Sequence, residues 1–176
     1  MATPFAVLGI RTAGGILTGI DYLPRGAATL APLEPLAERV CRQIERYLDD
    51  PGFRFDLPFK YRGTEFQCRV WRAIHAIPSG RTLRYADIAR RLRTAPRPVG
   101  GACGANRIPI VIPCHRVVGS DGIGGFMHAR AGFPLEIKRW LLKHEGAEPP
   151  MNADKTQAAT ETHGSTRTRV TWSLMS

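Results

Sequence analysis

The sequence has no long apolar run. No stretch approaches the roughly 18 consecutive apolar residues that a membrane-spanning helix needs, and the N-terminus lacks a basic segment followed by an apolar run and a cleavage site. We therefore expect a cytoplasmic protein with no membrane partner. With 176 residues, 43% hydrophobic and 23% charged, the composition is typical of a globular protein, as one domain or two small lobes sharing a core.

Cysteine is scarce, and no two cysteines have the C-x-x-C spacing. The absence of that spacing argues against a zinc ribbon and a thioredoxin-type redox site. The four cysteines are Cys41, Cys68, Cys103 and Cys114, and in a reducing compartment we expect free thiols. Cys41 lies on the apolar stripe of a predicted helix and is assigned to the core. Cys68 and Cys103 have no neighbouring base, so we assign them structural roles.

Acidic residues are almost missing where the arginines cluster. The chain carries 25 Lys and Arg against 15 Asp and Glu, a formal charge of +10. Residues 81–116 hold eight of the arginines and one acid, Asp87. Charge concentrated in this way favours a polyanionic partner, and a solvated basic face is the alternative.

The first 60 residues predict a small lobe of sheet and helix. Two β-leaning apolar runs, 5–10 and 16–23, flank a turn at 13–15 and predict a hairpin. Helical periodicity from residue 33 ends at Asp50-Pro51-Gly52, and residues 53–57 alternate like a half-buried strand. Nothing catalytic stands out in this lobe.

The next segment, 61–146, contains the signals for a helix-turn-helix. Thr64 and Gln67 form a capping-box pattern that predicts a helix ending at 78–80. Two short helices follow, over 85–92 and 99–106, with a tight connection between them. Glycines at 100, 101 and 104 should each cost roughly 1 kcal/mol in a helix, so we infer a close approach of the backbone to a partner.

An apolar run bracketed by prolines, 108–113, predicts a buried strand that delivers Cys114, His115 and Arg116 to a surface cleft. A further amphipathic helix is expected from Phe133 to His144. Residues 147–176 lack periodicity and predict a flexible tail. The predicted domains are therefore 1–60, 61–146 and the tail.

A cysteine beside a histidine is weak evidence of catalysis, but several linked motifs surround this pair. They are Gly63-Thr64-Glu65-Phe66-Gln67, Ile77-Pro78-Ser79-Gly80, Arg97-Pro98-Val99-Gly100, Pro113-Cys114-His115-Arg116-Val117 and Lys138-Arg139-Trp140-Leu141-Leu142-Lys143-His144-Glu145-Gly146. In this order, over about 63–146, they resemble the O6-alkylguanine-DNA alkyltransferase (methylated-DNA--protein-cysteine S-methyltransferase) family.

The resemblance implies an α/β (α+β) fold, with a small N-terminal ribonuclease H-like lobe and a winged-helix-like domain carrying the helix-turn-helix. It implies DNA repair by transfer of a methyl or other alkyl group from O6 of guanine to Cys114, with O4-alkylthymine as an open second substrate. A thiolate suits attack on an sp3 carbon. Because the thioether product has no acyl carbon for water to attack, the protein is spent after one turnover.

The resemblance also assigns catalytic roles. His115 would activate Cys114 through a bound water, and Glu145 would orient His115, as in the nucleophile, base and orienter arrangement of hydrolases. Tyr85 would help to rotate the nucleotide and donate a proton toward the leaving guanine. Asn106 would brace the turn beside the active site.

The implied partner is double-stranded DNA containing alkylated guanine, bound by a monomer, and the target base must be flipped out. Arg97 would fill the vacated stack, and small residues would let the second short helix lie close in the minor groove. The DNA-binding residues implied are Arg97, Gly100, Gly101, Ala102, Ser120 and Tyr85.

The implied substrate pocket is lined by Pro109, Val117 and Phe126. Main-chain carbonyls of Cys114 and Val117 would read the exocyclic amine of guanine. Phe126 stands where many family members have a tyrosine, and the loop after it, 128–133, is enlarged. We expect no metal and no other cofactor, because the zinc site of some members needs ligands that the first lobe lacks.

Two other readings remain open. Alkyltransferase-like proteins recognise the lesion without chemistry, but they lack the cysteine at this position. A thiol hydrolase is disfavoured, because its cysteine and histidine are normally distant in sequence and no oxyanion hole is evident. Alkyl transfer, scored by protein mass, would separate the three.

Overall fold

The computed structural model describes residues 1–147 and shows a mixed α/β fold with small sheets. The strands are β1 (Val7–Ala13), β2 (Ile16–Leu23), β3 (Leu83–Arg84) and β4 (Val117–Val118). The helices are α1 (Pro35–Asp49), α2 (Glu65–His75), α3 (Tyr85–Leu92), α4 (Pro96–Gly104) and α5 (Phe133–His144). Within the described part of the chain, no helix has the length and apolar character to cross a membrane.

The predicted N-terminal hairpin is confirmed. β1 pairs antiparallel with β2, with Ile10 opposite Ile20. The turn is made by Gly14 and Gly15, whose φ angles of 58° and 71° lie in the left-handed region that glycine adopts without strain. One face of the hairpin packs into the core through Leu8, Leu17 and Ile20, among others.

The predicted amphipathic helix is confirmed as α1. Val40, Ile44 and Tyr47 recur at helical spacing and are buried. Cys41 is only half-buried, so its assignment to the core was wrong. It follows Val40 directly, and a helix turns each successive side chain by about 100° away from the previous one.

The predicted strand over 53–57 was wrong. The alternation is real, because Phe53, Phe55 and Leu57 are less exposed than the residues between them. The backbone of Asp56 is instead paired by a side chain: Gln43 accepts from its N–H and donates to its carbonyl, both at 2.9 Å. The backbone groups are satisfied, but not by a sheet.

Helices α2, α3 and α4 pack against one another. The predicted capping box between Thr64 and Gln67 is present at the start of α2. α4 begins at Pro96, three residues before the predicted start, since proline is well tolerated in the first turn of a helix. The indole N–H of Trp71 donates to the carbonyl of Ala102 at 2.8 Å, which fixes α4 on α2.

The predicted strand over 108–113 was also wrong. The segment is buried but forms turns, with the N–H of Ile112 donating to the carbonyl of Ile108 at 2.9 Å. Ile110 has a φ of 72°, a conformation that no extended strand contains.

A short parallel pair joins the start of α3 to the residues after the turn. Leu83 in β3 lies opposite Val117 in β4, and Arg84 lies opposite Val118. This pairing brings Tyr85, the first residue of α3, beside the segment that contains Cys114.

Helix α5 matches its predicted bounds and completes the core. Gly146 follows it with a φ of 64°, and Ala147 is buried against Val118 and Leu142. The predicted tail therefore cannot begin at Ala147, and the rest of that prediction, 148–176, lies outside the described residues. A single cluster of buried side chains runs from Phe5 in the first lobe to Leu141 in α5.

Candidate active site

Cys114 lies at the bottom of an open cavity of about 590 Å³. It is the first residue of a one-turn 3-10 helix, Cys114–Arg116, and is 4% exposed. The walls come from α3, from α4 and from the segment 125–130, and include Tyr85, Arg97, Gly100, Gly101, Cys103, Phe126, Met127 and His128. The thiol thus belongs to a cleft between α4 and that segment.

Asn106 holds both the turn and the thiol. Its side-chain amide donates to the carbonyl of Ile112 at 2.8 Å and to the sulfur of Cys114 at 3.2 Å. Its side-chain oxygen accepts from the N–H of Ile108 at 3.1 Å. The predicted bracing role fits this geometry, and the bond to sulfur adds a direct link to the nucleophile.

His115 points away from solvent and bonds Glu145. Its Nε2 lies 2.8 Å from Oε1 of Glu145, and both side chains are fully buried. The same carboxylate accepts from Nε and Nη2 of Arg116, at 2.9 and 2.8 Å, and from the hydroxyl of Tyr47 at 2.7 Å. Four donors from three side chains therefore fix one carboxylate.

The charges favour a neutral His115 with Nδ1 as the basic atom. Burial alone would raise the pKa of Glu145, but hydrogen bonds from His115 and Arg116, with the positive charge of Arg116, lower it to about 2. Burial lowers the pKa of His115 despite the Glu145 contact. An ionised carboxylate only accepts hydrogen bonds, so Nε2 of His115 carries the proton and Nδ1 keeps its lone pair.

Burial raises the pKa of the Cys114 thiol. The hydrogen bond from Asn106, the charge of Lys138 and backbone N–H groups act in the opposite direction. The thiol is therefore protonated at rest, and a nucleophilic thiolate requires a base nearby.

Lys138 is a buried cation that the sequence reasoning missed. Its Nζ donates to the carbonyls of Val117 and Gly125 at 2.6 and 2.9 Å and lies 5.7 Å from the centre of the Tyr85 ring. Burial lowers its pKa to about 8, and negative charge on Cys114 opposes that shift. The sequence offered one sign of this burial. Lys138 follows Ile137 at the edge of the apolar stripe of α5, within the motif 138–146 that the sequence analysis had identified.

Arg116 and Tyr47 were missed as well. Arg116 stands in the Pro113–Val117 motif without an assigned role, although its guanidinium pairs with Glu145. Tyr47 lies in α1, and its periodicity indicated only a core position. No local pattern could show that its hydroxyl reaches a residue 98 positions away.

Tyr85 lies on the wall of the cavity. Its hydroxyl donates to the carbonyl of Gly125 at 3.0 Å. Burial raises the pKa of Tyr85, and charge on Cys103 and Cys114 adds to the effect. The phenol is therefore protonated in the resting site and available as a donor.

The residues assigned to DNA fall in different environments. Arg97 is exposed at the cavity mouth, with Gly100 and Gly101 on the same wall. Ala102 is buried, its carbonyl bound by Trp71. Ser120 is exposed beyond β4 and is not a lining residue of the cavity.

The glycines of α4 are not needed by the fold at every position. A Cβ added to Gly101 would meet no atom within 4 Å, and one on Gly100 would come no closer than 3.9 Å to the Tyr85 ring. A Cβ on Gly104 would collide with the His128 ring. The first two glycines therefore leave room on the outer face of α4, whereas the third accommodates His128.

Of the three predicted pocket residues, the structure places Phe126 on the cavity wall. Pro109 and Val117 are buried but do not line this cavity. The carbonyl of Cys114 accepts from the N–H of Val117, and the carbonyl of Val117 accepts from Lys138. Each carbonyl oxygen has a second lone pair for a ligand.

Metal ligands were not expected. Among residues 1–147, no group of three or more His, Cys, Asp or Glu side chains is placed to hold a metal ion.

Residues 65–147 match the sequence model of the DNA binding domain of 6-O-methylguanine DNA methyltransferase. The chain is 39% identical over 106 residues to the methylated-DNA--protein-cysteine methyltransferase of Archaeoglobus fulgidus, which covers 60% of this chain and 72% of that protein. It is 43% identical over 116 residues to the inducible enzyme of that name from Bacillus subtilis, covering 64% and 60% of the two chains.

Solved structures agree over more of the chain. The O6-methylguanine methyltransferase of Mycobacterium tuberculosis is 33% identical and superposes with a TM-score of 0.69, covering 90% of this chain and 96% of that one. OGT of Mycobacterium tuberculosis in complex with DNA is 34% identical, with a TM-score of 0.67 over 83% and 90% of the two chains.

Proposed function

This chain belongs to the O6-methylguanine-DNA methyltransferase family, and on that premise we propose that it repairs DNA by moving an alkyl group from O6 of guanine to the sulfur of Cys114. The observation that carries the proposal is the Cys114 thiol at the bottom of a cavity, followed in the chain by a buried neutral histidine. The Nε2 atom of that histidine is held by the ionised Glu145, which leaves Nδ1 as the base. Methyl is the expected group, and O4-alkylthymine is a second candidate substrate.

The proposed transfer begins with removal of the thiol proton. His115 accepts it at Nδ1, through a water in the manner of the family, and Glu145 stabilises the imidazolium. The bond between Cys114 sulfur and the alkyl carbon forms as the bond from that carbon to O6 breaks, and the electron pair passes to guanine. Tyr85 supplies the proton that the leaving guanine takes up.

The product explains single turnover. The new bond at Cys114 is a thioether, and neither His115 nor Glu145 can activate water against an unactivated sp3 carbon. The protein is consumed by one repair event, because nothing in this site regenerates the thiol.

Recognition of the base is assigned to the turn and the cavity wall. The second lone pairs on the carbonyls of Cys114 and Val117 would accept from the guanine amine, and Phe126 would pack against the base. Pro109 acts from behind this surface, by fixing the turn that holds Cys114.

DNA binding is assigned to α3 and α4 as the two helices of a helix-turn-helix in a winged-helix-like domain. Arg97, at the mouth of the cavity, would fill the stack when the base is flipped into the cavity. Gly100 and Gly101 would let the backbone of α4 approach the minor groove, Ala102 would fix α4 on α2 from the inner side, and Ser120 would extend the same DNA surface.

The domain assignment follows the chemistry. Residues 61–146 carry the DNA-binding and catalytic groups, and residues 1–60 form the ribonuclease H-like lobe. We assign the active form as a monomer, because the nucleophile, the base and its orienting carboxylate all come from one chain.

The proposal is tested with a duplex oligonucleotide that contains O6-methylguanine. The intact mass of the protein should increase by one methyl group in place of one hydrogen, and peptide mapping should place it on Cys114. Cys114→Ser should bind the duplex but take up no methyl group, because a hydroxyl is a far weaker nucleophile. Cys68→Ser, which changes a cysteine outside the cavity, is the matched control.

Binding of the lesion duplex without a mass increase in the unmodified protein would favour the lesion-binding alternative. Transfer by Cys114→Ser would remove Cys114 from the mechanism.

The role of Arg97 is tested by Arg97→Ala, with Arg91→Ala as the control, since Arg91 is another exposed arginine of the basic segment. If Arg97 fills the stack, its removal should lower transfer from a matched duplex far more than transfer from the free alkylated base, because the free base needs no extrusion. A purely phosphate-binding arginine would lower the salt slope by about one and weaken all duplexes equally.

A further inference from the structure

Two buried side-chain atoms have no hydrogen-bond partner among residues 1–147: Nδ1 of His115 and the hydroxyl of Tyr22. Buried polar groups are nearly always paired, because leaving one unpaired costs about 1–3 kcal/mol. Two such atoms in a chain of this size therefore call for an explanation, and one of them is the base of the proposed reaction.

Tyr22 comes from the N-terminal lobe but faces the active site. It lies near the end of β2, and its ring packs between Phe5, at a centroid distance of 6.1 Å, and Phe126, at 6.0 Å. Phe126 is a wall of the cavity that contains Cys114. The ring of Tyr22 thus supports that wall from behind.

The Tyr22 hydroxyl is fully buried and keeps its proton. Burial raises the pKa of Tyr22 well above its ordinary value, and negative charge on Cys114 and then on Tyr47 raises it further. Tyr47 binds Glu145, which binds His115. The hydroxyl therefore stays protonated as a donor, on a ring that packs against the cavity wall facing Cys114.

A buried water needs two to four polar partners. His115 Nδ1 offers a lone pair, Tyr22 offers an O–H donor, and the sulfur of Cys114 offers the proton to be moved. These three groups are chemically complementary to one water molecule.

We propose that Tyr22 is a positioning residue for alkyl transfer, whose hydroxyl holds, together with Nδ1 of His115, the water through which Cys114 loses its proton. The inference rests on the proposed function for its role in repair. The thiol proton passes to the water as a water proton passes to Nδ1, and Tyr22 donates a hydrogen bond to the water oxygen without losing its own proton. The N-terminal lobe thus contributes to the chemistry.

The test is Tyr22→Phe, which removes one oxygen and keeps the ring between Phe5 and Phe126. Tyr61→Phe is the matched control, because the Tyr61 hydroxyl bonds His75 on the surface and not the active site. Two quantities are measured: the single-turnover rate of transfer from a methylated duplex, and the pH midpoint of the reaction of Cys114 with an uncharged aromatic disulfide, followed by peptide mass mapping without DNA.

In Tyr22→Phe the transfer rate should fall about tenfold, which is the upper end of the usual effect of losing one hydrogen bond. The pH midpoint for Cys114 should rise by about one unit, because thiolate formation loses support. The other ionisable groups around the thiol and its base are unchanged: Tyr47, Tyr85, Cys103, Arg116, Lys138 and Glu145. Tyr61→Phe should alter neither quantity.

The inference is overturned if Tyr22→Phe leaves both the transfer rate and the pH midpoint unchanged and its free energy of unfolding is equal to or above that of the unmodified protein. The hydroxyl would then be a buried group with no part in the reaction. The two proposals fail separately. If the unmodified protein transfers no methyl group but the Cys114 midpoint still shifts, the proposed function fails and the placement of Tyr22 stands.

Discussion

Replacing Glu145 with Gln should destabilise the protein in a way that depends on pH. Glu145 accepts from Tyr47, His115 and Arg116 within the core, and the contacts with His115 and Arg116 lower its pKa from 4.5 to about 2. A glutamine has the same shape but carries no charge. It has one acceptor oxygen where the carboxylate has two, and its NH2 group can only donate. Arg116, whose side chain is 11% exposed, would then lose its counter-charge.

The magnitude follows from linkage between protonation and folding. Because the pKa of the carboxyl is lower in the folded than in the unfolded state, its contribution to stability is fully present above about pH 5 and is lost as pH falls toward 2. At 1.36 kcal/mol per unit, the lowering of the pKa corresponds to about 3 kcal/mol. Breaking a buried ion pair by removing one partner costs about the same, roughly 3–5 kcal/mol.

The assay is urea unfolding of Glu145→Gln and of the unmodified protein at pH 7 and at several values down to pH 3. The difference in free energy of unfolding should be about 3 kcal/mol at pH 7 and should shrink steadily as the pH approaches 3. Glu45→Gln, which changes an exposed glutamate of α1, should show less than about 0.5 kcal/mol at any pH.

A difference that is below about 1 kcal/mol at pH 7, or that stays constant with pH, would refute the reasoning that this carboxylate is ionised and tightly paired in the folded state. The same variant should transfer alkyl groups about a hundredfold or more slowly, because His115 loses the partner that fixes its tautomer.

Two other changes separate structural from functional roles. Asn106→Ala removes three hydrogen bonds and should lower the free energy of unfolding by about 3 kcal/mol, measured with urea; a loss below about 1 kcal/mol would contradict the bracing role. Gly101→Ala adds a methyl group that meets nothing in the protein, so it should raise the thermal midpoint through a gain of up to about 1 kcal/mol. It should also weaken binding to duplex DNA in a titration, and equal affinity would show that DNA does not approach α4 at this point.

The elements that the sequence predicted well are those whose signal is local. The turn at Gly14 and Gly15, the capping box of Thr64 and Gln67, and the stripe of α1 each follow from residues close together in the chain. The predicted strands at 53–57 and 108–113 failed because apolar character indicates burial without saying what pairs with the backbone. The left-handed conformation of Ile110 has no sequence signal, since isoleucine rarely adopts it.

The candidate site divides in the same way. Cys114 and His115 are adjacent, and the motif around them could be identified in the sequence. Glu145 was linked to them only through the family resemblance. The partners that set their charges come from distant elements: Tyr47 from α1 and Lys138 from α5. The sequence pattern placed Tyr47 in the core and Lys138 on the helix surface. Periodicity could not show their polar contacts, because packing decides whether a polar group is buried against a distant partner.

The contact between Tyr47 and Glu145 limits how the chain could be divided. α1 holds none of the reacting groups, yet its Tyr47 donates to the carboxylate that orients the base, and its carbonyl accepts from His144 at the end of α5. A fragment beginning at residue 61 would keep Cys114 and its base but would open this corner of the core to solvent. A foreign N-terminal segment grafted onto residues 61–147 would succeed only if it delivered a hydroxyl donor to the same oxygen.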